Sequence, residues 1–275
     1  MTVAADGRQI AFESFGVSVA VVVDDPELLP ELAALAPTPS QPCEPGSVDH
    51  RLALRRTRTG LFNVRILRRE GEEIAELDPT AWVAGDADLD LAMALLDAHV
   101  QSLIALHAPD HMFIRAGVVS YRDQAILLPG RPITGKSTLV RELVRAGAVA
   151  FSEDFAPVDA DGRVHPYLRP AVPGVEQIAE ANGDLRAQPL PVSAVVLTSY
   201  RPGAVWNPTR LSRGEAVLAL ISHAEPGGER PEETMRLTTR ALQGDLVILQ
   251  TERGEAREVA PVLLGDVEQA LSGAA

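Results

Sequence analysis

Residues 130–138 read Gly-Arg-Pro-Ile-Thr-Gly-Lys-Ser-Thr, and the prediction of the fold starts from them. The spacing of the two glycines, the lysine and the serine fits the phosphate-binding loop pattern G-x-x-x-x-G-K-[ST]. The apolar run at 125–128 precedes the loop, as expected of a strand buried on both faces. After the loop, apolar residues repeat at helical spacing up to Gly147, which suits the left-handed end of a helix. A strand, a glycine-rich loop and a helix in this order direct backbone N–H groups and the positive helix end at a phosphate.

Lys136 is the only lysine among 25 lysine and arginine residues, so the other 24 are arginine. A forked guanidinium cannot replace the compact ammonium that reaches between the β- and γ-phosphates of a nucleotide, which explains why one lysine remains. We therefore predict that the loop binds ATP with Mg²⁺, with the Ser137 hydroxyl as a metal ligand. The residues expected to contact the nucleotide are Gly130, Arg131, Pro132, Ile133, Thr134, Gly135, Lys136, Ser137 and Thr138.

The composition limits the possible classes of protein. A chain of 275 residues with 46% hydrophobic residues can build a sizeable core in one or two domains. The net charge of −13 argues against nucleic acid as the main partner. The single cysteine, Cys43, fits a reducing compartment, and no signal peptide or membrane-spanning run is recognisable. We expect a cytoplasmic protein that binds neither nucleic acid nor membrane and that could form a homo-oligomer.

Periodicity and turn residues predict a mixed order of strands and helices. Strands are expected on both sides of Gly16 within 8–24, and at 48–57, 61–69, 73–77, 112–120, 124–129, 148–151, 194–197 and 246–250. Helices are expected at 26–35, 88–107, 212–222 and 231–243, with short helices at 174–181 and in the last ten residues. This order indicates an N-terminal α+β region at 1–108 and an α/β phosphate-loop domain at 109–275.

Acidic and basic residues near the loop are the candidates for chemistry. Glu153 and Asp154 follow the apolar strand at 148–151, where open α/β sheets place their sites. A carboxylate there could bind the metal or accept the proton of an attacking hydroxyl, although an exposed acidic turn would have the same sequence. Arg169 and Arg201 lie in or after turns that could reach a phosphate, but structural roles are equally open to them.

These residues resemble the catalytic domain of the HPr kinase/phosphorylase family. The resemblance covers roughly 111–250, and the hairpin at 162–170 is more similar to uncharacterised relatives, some found beside enzymes of ribosomal-peptide biosynthesis. It implies a phosphoenolpyruvate-carboxykinase-like P-loop fold and phosphorylation of a hydroxyl: a serine of a protein or peptide, or a small molecule. Lys136 and Ser137 would then handle triphosphate and Mg²⁺, while Glu153 and Asp154 would serve as base and metal ligands.

This chain departs from the family pattern at several positions. Ile133 stands where the family has glycine, and Pro132 lacks an N–H that could face phosphate. Arg115 replaces a histidine. If Arg115 lies beside Glu153 or Asp154, it should keep that carboxylate ionised by lowering its pKa, and because arginine does not deprotonate, we expect transfer in the kinase direction only. No acid is present at 198–199. A nucleotide-binding sensor or scaffold that does not transfer phosphate is therefore the alternative.

Two other nucleotide-binding classes are excluded by the lysine count. The guanine-reading motif of regulatory GTPases and the strand lysine of the protein-kinase fold each require a lysine outside the phosphate loop. The chain has none.

Overall fold

The computed structural model describes residues 4–5, 7–70, 73–76, 82–130, 134–169, 188–225 and 230–272. It is a mixed α/β structure with two mixed sheets. The chain divides into two compact units: the first comprises Met1–Pro109 with Arg169–Gln177, and the second comprises Asp110–Leu168 with Ile178–Ala275. The domains at 1–108 and 109–275 remain predictions. The short helix expected at 174–181 lies outside the described residues.

The first unit is built on a sheet in the order β1-β2-β3-β5-β6-β7, in which β4 also pairs with β2 and β8 with β6. Its strands are β1 (Ala4–Ala5), β2 (Gln9–Ser14), β3 (Val17–Val23), β4 (Gln41–Pro42), β5 (His50–Arg56), β6 (Phe62–Glu70), β7 (Glu73–Glu76) and β8 (Trp82–Ala87). Only the β3–β5 pairing is parallel among those described. Its helices are α1 (Leu29–Ala33), which follows a 3-10 turn at Pro26–Leu28, and α2 (Leu89–His107).

Helix α2 forms where the sequence predicts it. The Asp88 side chain accepts a hydrogen bond from the Leu91 N–H at 2.8 Å and caps the first turn. By length and composition alone, α2 is the one helix in the described ranges that would suffice to cross a bilayer. Residues such as Leu96, Val100 and Ile104 are fully buried, however, and the helix packs on β3, β5, β6 and β8. This arrangement is typical of a core helix, and the cytoplasmic location remains a prediction.

The second unit is built on a sheet in the order β11-β9-β10-β13-β16-β14, with β12 and β15 also paired to β9. Its strands are β9 (Met112–Tyr121), β10 (Gln124–Pro129), β11 (Val149–Ser152), β12 (Phe155–Val158), β13 (Val192–Tyr200), β14 (Thr209–Arg210), β15 (Ala224–Glu225) and β16 (Val247–Arg253). Strands β10, β13 and β16 run parallel, so their carboxyl ends meet at one edge of the sheet. The helices are α3 (Lys136–Arg145), α4 (Arg213–Ile221), α5 (Pro231–Ala241) and α6 (Ala256–Ser272).

Strand β10 is buried on both faces, which confirms the prediction from its continuous apolar run. Ile126 and Leu128 belong to the core that includes α3 and α6, whereas Ala125 and Leu127 belong to the core that includes α4 and α5. Successive residues of a strand point to opposite faces, so alternate residues of the run pack into different cores. Helices on both faces therefore hold the strand that leads into the loop.

Helix α6 differs from the prediction. A short helix and a frayed end were expected in the last ten residues, but the helix has 17 residues and contains Pro261. Its buried residues Val259, Leu263 and Val267 recur at a helical spacing of four and pack in the core that α3 also covers.

Candidate functional site

Strand β10 leads directly into the glycine-rich stretch. The Gly130 N–H donates to the Arg115 carbonyl oxygen at 3.2 Å. A Cβ atom at Gly130 would lie 3.0 Å from Oγ1 of Thr134 and 3.4 Å from Cδ of Lys136. The aliphatic part of the Lys136 side chain therefore lies over Gly130, and a side chain at position 130 would crowd it. The predicted nucleotide contacts Arg131, Pro132 and Ile133 lie outside the described residues.

Gly135 forms the junction between the loop and α3. Its φ of +81° is left-handed, a conformation that glycine adopts without strain. Its carbonyl oxygen accepts the first helical hydrogen bond, from the Leu139 N–H at 3.1 Å, and a second from Nη2 of Arg253 at 2.8 Å. The second glycine of the motif is thus fixed by both its conformation and its contacts.

Helix α3 begins at Lys136 without a side-chain cap. Its buried residues are the four that the sequence periodicity predicted: Leu139, Val140, Leu143 and Val144. Ser137 and Thr138 are exposed in the first turn, so their hydroxyls are accessible. At the other end, Gly147 has a φ of +107°, as predicted for the helix terminus. The uncapped first turn presents N–H groups and the positive end of the helix dipole.

Three charged side chains interact at the start of α3. Lys136 is half-buried, and burial lowers the pKa of its ammonium below the ordinary lysine value. The Asp154 carboxylate raises that pKa, and the Arg115 guanidinium lowers it further. The structure therefore brings together three of the residues predicted to carry chemistry.

Glu153 and Asp154 occupy the connection between β11 and β12. The pairing of β11 with β9 shifts register between Ala150 and Ser152, so the strand turns just before the acidic pair. The Asp154 carbonyl accepts from the Ala116 N–H at 3.0 Å, which fixes the connection against β9. Glu153 is 9% exposed and Asp154 is half-buried. The pair is therefore held by the sheet rather than lying in an exposed acidic turn.

Arg115 lies on β9 opposite Phe155 of β12. Its Nε donates to Oε1 of Glu225 at 3.0 Å, and its Cζ lies 4.8 Å from the centre of the Phe155 ring. The sequence predicted a role for Arg115 beside the acidic pair. Its ion pair is instead with Glu225, while its charge still acts on Lys136.

A cleft of about 610 Å³ opens beside Gly130 and Thr134. Six of its twelve lining residues have uncharged hydroxyl or amide side chains and come from the ends of β13 and β16 and from the segment around β14. These are Thr198, Ser199, Asn207, Thr209, Gln250 and Thr251. The Thr198 hydroxyl oxygen is buried without a hydrogen-bond partner in the described structure. Such a wall suits a polar ligand that exchanges hydrogen bonds rather than charge.

The cleft and Arg253 were not identified as functional from the sequence. Polar residues at the carboxyl ends of parallel strands are the signal that could have indicated the cleft. The two arginines considered earlier are each engaged by a carboxylate. Arg201 contacts Glu252 at 2.8 Å, and Arg169, within the first unit, pairs with buried Asp97.

The residues predicted to bind metal carry oxygen donors of the kind that Mg²⁺ prefers, and their role as ligands remains a prediction. Among the described residues, no group of three or more His, Cys, Asp or Glu could hold a metal ion. Magnesium in nucleotide sites needs only one or two protein carboxylates, because phosphate oxygens and water complete its shell. A hydroxyl at Ser137 and carboxylates at Glu153 and Asp154 provide oxygen donors of this kind.

Comparison with known proteins gives distant similarities to solved structures only. No protein-family model matches the sequence, and no curated protein matches it. One solved structure similar to this chain is the Hpr(Ser) kinase/phosphatase of Coxiella burnetii, with a TM-score of 0.35 and 12% sequence identity. The match covers 58% of this chain and 98% of that one. A similarity at this level assigns no function.

Proposed function

We propose that the second unit is an ATP-dependent kinase that transfers the γ-phosphate of MgATP to a hydroxyl group. The observation that carries this proposal is the position of the only lysine. Lys136 opens an uncapped helix directly after a glycine-rich loop, and its ammonium interacts with Asp154. A compact cation, free helical N–H groups and a carboxylate are the components that phosphoryl transfer requires.

The proposed roles follow from the chemistry of each side chain. Lys136 stabilises the charge on the β- and γ-phosphates, and the first turn of α3 donates N–H groups to them. Ser137, Glu153 and Asp154 would hold Mg²⁺, which neutralises phosphate charge when it is bound. One carboxylate of the acidic pair accepts the proton of the attacking hydroxyl. Arg115 contributes a fixed positive charge, because a guanidinium does not titrate.

The acceptor is a hydroxyl of a protein, a peptide or a small molecule. The cleft beside Gly130 and Thr134 is the place proposed for it, since its hydroxyl and amide side chains can orient a polar group next to the loop. Nucleic acid and membrane are not proposed as partners, in keeping with the net charge of −13. A cytoplasmic location also remains part of the proposal.

Isothermal titration with MgATP tests nucleotide binding. Lys136→Ala should abolish measurable binding while leaving the fold intact. Lys136→Arg should also abolish measurable binding, because a planar, forked guanidinium does not reproduce the compact charge of an ammonium. Arg145→Lys is the matched control: it exchanges the same two kinds of side chain at an exposed position in the last turn of α3, and it should bind MgATP as wild type does. Unchanged affinity in Lys136→Arg would contradict the proposed role of the lysine.

A nucleotide-binding sensor that does not transfer phosphate is the second candidate. The observation that favours it is Arg115, which pairs with Glu225 at a position where the resembled family has a histidine able to exchange a proton. Glu153→Gln and Asp154→Asn separate the two candidates. If the protein is a kinase, at least one variant loses ATP consumption but still binds ATP. If it is a sensor, the variants change only metal-dependent affinity, and the wild type consumes no ATP with any hydroxyl acceptor.

A further inference from the structure

Arg253 at the end of β16 is 2% exposed, although arginine is rarely buried unless it is paired. Its contacts in the described part of the chain are carbonyl oxygens. Nη2 donates to Gly135 at 2.8 Å and Nη1 to Gly254 at 3.1 Å, while Nε has no hydrogen-bond partner there. The Tyr200 ring, 5.6 Å from Cζ, stabilises the cation without neutralising it.

The Arg253 guanidinium occupies the space that a side chain at position 135 would need. A Cβ atom at position 135 would lie 2.6 Å from Nη2 of Arg253, closer than real side chains approach. The same carbonyl accepts the first hydrogen bond of α3, from Leu139. Arg253 therefore holds the residue from which the helix starts, and the hydrogen bond requires that this residue be glycine.

A buried positive charge beside the loop favours an anion there. An arginine stays protonated in a protein, and a charge that is partly shielded from water acts over a longer distance than an exposed one. Its two hydrogen-bond acceptors are carbonyl oxygens, which carry only partial negative charge. The Glu255 carboxylate also acts on the guanidinium, but Glu255 is exposed and accepts a hydrogen bond from Tyr200, so water screens its charge and the field of the guanidinium is only partly offset. Arg201, on the neighbouring turn, differs in this respect: it is exposed and pairs with Glu252.

We infer that Arg253 is a positioning residue of the phosphate loop, which holds the Gly135 carbonyl and places a buried positive charge behind the bound phosphates. The electrostatic part rests on the proposed function, because the charge favours a triphosphate only if the loop binds one. The mechanical part does not rest on the proposed function, since it concerns only the hydrogen bond from Arg253 to the Gly135 carbonyl oxygen.

Three substitutions separate the hydrogen bond from the charge. Arg253→Lys keeps a donor and the charge, Arg253→Gln keeps a donor only, and Arg253→Met keeps neither. Arg201→Met is the matched control, because it removes a positive charge from the same edge of the sheet without touching the loop. Circular dichroism and thermal unfolding first establish which variants fold. If Arg253→Met does not fold, the lysine and glutamine variants are compared with wild type.

Hydrogen exchange of the nucleotide-free protein tests the mechanical part. The Leu139 amide, which donates to the Gly135 carbonyl oxygen, should exchange at least about tenfold faster in Arg253→Met, with protection largely recovered in the lysine and glutamine variants. Isothermal titration with MgATP tests the electrostatic part. Affinity should fall at least about tenfold in Arg253→Met and in Arg253→Gln, about 1.4 kcal/mol, and should recover in Arg253→Lys.

Several results would overturn the inference. Unchanged exchange and affinity in a folded Arg253→Met would do so, and so would an equal loss of affinity in Arg201→Met. If wild type binds no nucleotide, the proposed function and the electrostatic part fail together. In that case the exchange rates still decide the mechanical part: faster exchange in Arg253→Met supports it, and unchanged exchange refutes it.

Discussion

Gly135→Ala should destabilise the second unit through two effects that can be measured separately. The first is conformational: an alanine at a φ of +81° is left-handed, which costs about 1–2 kcal/mol. The second is steric, because the new Cβ would lie 2.6 Å from Nη2 of Arg253. The guanidinium must move away and lose its hydrogen bond to the Gly135 carbonyl, a charge-assisted bond that contributes about 1.5–3 kcal/mol. The expected total loss is therefore about 2.5–5 kcal/mol.

Gly203→Ala is the matched control. Gly203 has a similar φ of +75° in the same unit, but nothing lies within 4 Å of the position that its Cβ would occupy. It should lose only the conformational part, about 1–2 kcal/mol. Both substitutions lower the conformational entropy of the unfolded chain by a similar amount, so this contribution cancels when the losses of stability of the two variants are compared. The difference between the two alanine variants isolates the contact with Arg253.

Urea unfolding followed by circular dichroism measures these losses, and a double-mutant cycle tests their cause. In an Arg253→Met background the guanidinium is gone, so Gly135→Ala should destabilise the protein by no more than Gly203→Ala does. An equal loss for Gly135→Ala in both backgrounds would refute the reasoning. Equal losses for Gly135→Ala and Gly203→Ala in the parent protein would refute it as well.

Three further predictions concern charged groups. Asp97→Ala should destabilise the first unit by about 3–5 kcal/mol in urea unfolding, because it leaves Arg169 without its buried carboxylate. Burial lowers the pKa of His99, so near and below about pH 6.5 this imidazole binds more protons in the unfolded chain than in the folded one. The free energy of unfolding should therefore fall as the pH drops from 7.5 to 5.5. His99→Gln should make this fall smaller. Amine labelling read by mass spectrometry reports on Lys136 as the only lysine, and its apparent pKa should rise in Arg115→Gln and fall in Asp154→Asn. Labelling curves that do not shift would show that the three charges do not interact.

The local features of the fold were predictable because they follow from residues close together in the chain. The buried face of α3 was predicted from the spacing of its apolar residues, and the burial of β10 on both faces was predicted from its continuous apolar run. In both cases the pattern of apolar residues within one element contains the information.

Features that depend on contacts between distant segments were not predictable. Helix α6 passes through Pro261, which locally disfavours a helix, but burial of Val259, Leu263 and Val267 against the core outweighs this preference. The role of Arg253 has no local signal either, since it is one of 24 arginines and its importance comes from a residue 118 positions earlier. Sequence periodicity contains no information about such a contact.

Arg115 illustrates how the structure changes a prediction about chemistry. From the sequence, a guanidinium beside the acidic pair should keep a carboxylate ionised, so its main effect was expected on the base. The structure pairs Arg115 with Glu225 and stacks it on Phe155, while its charge lowers the pKa of Lys136. The structure therefore adds an effect on the ammonium, which the sequence did not predict. Because Asp154 acts on the same ammonium with the opposite sign, the balance of these two side chains sets how readily Lys136 keeps the charge that a triphosphate would require.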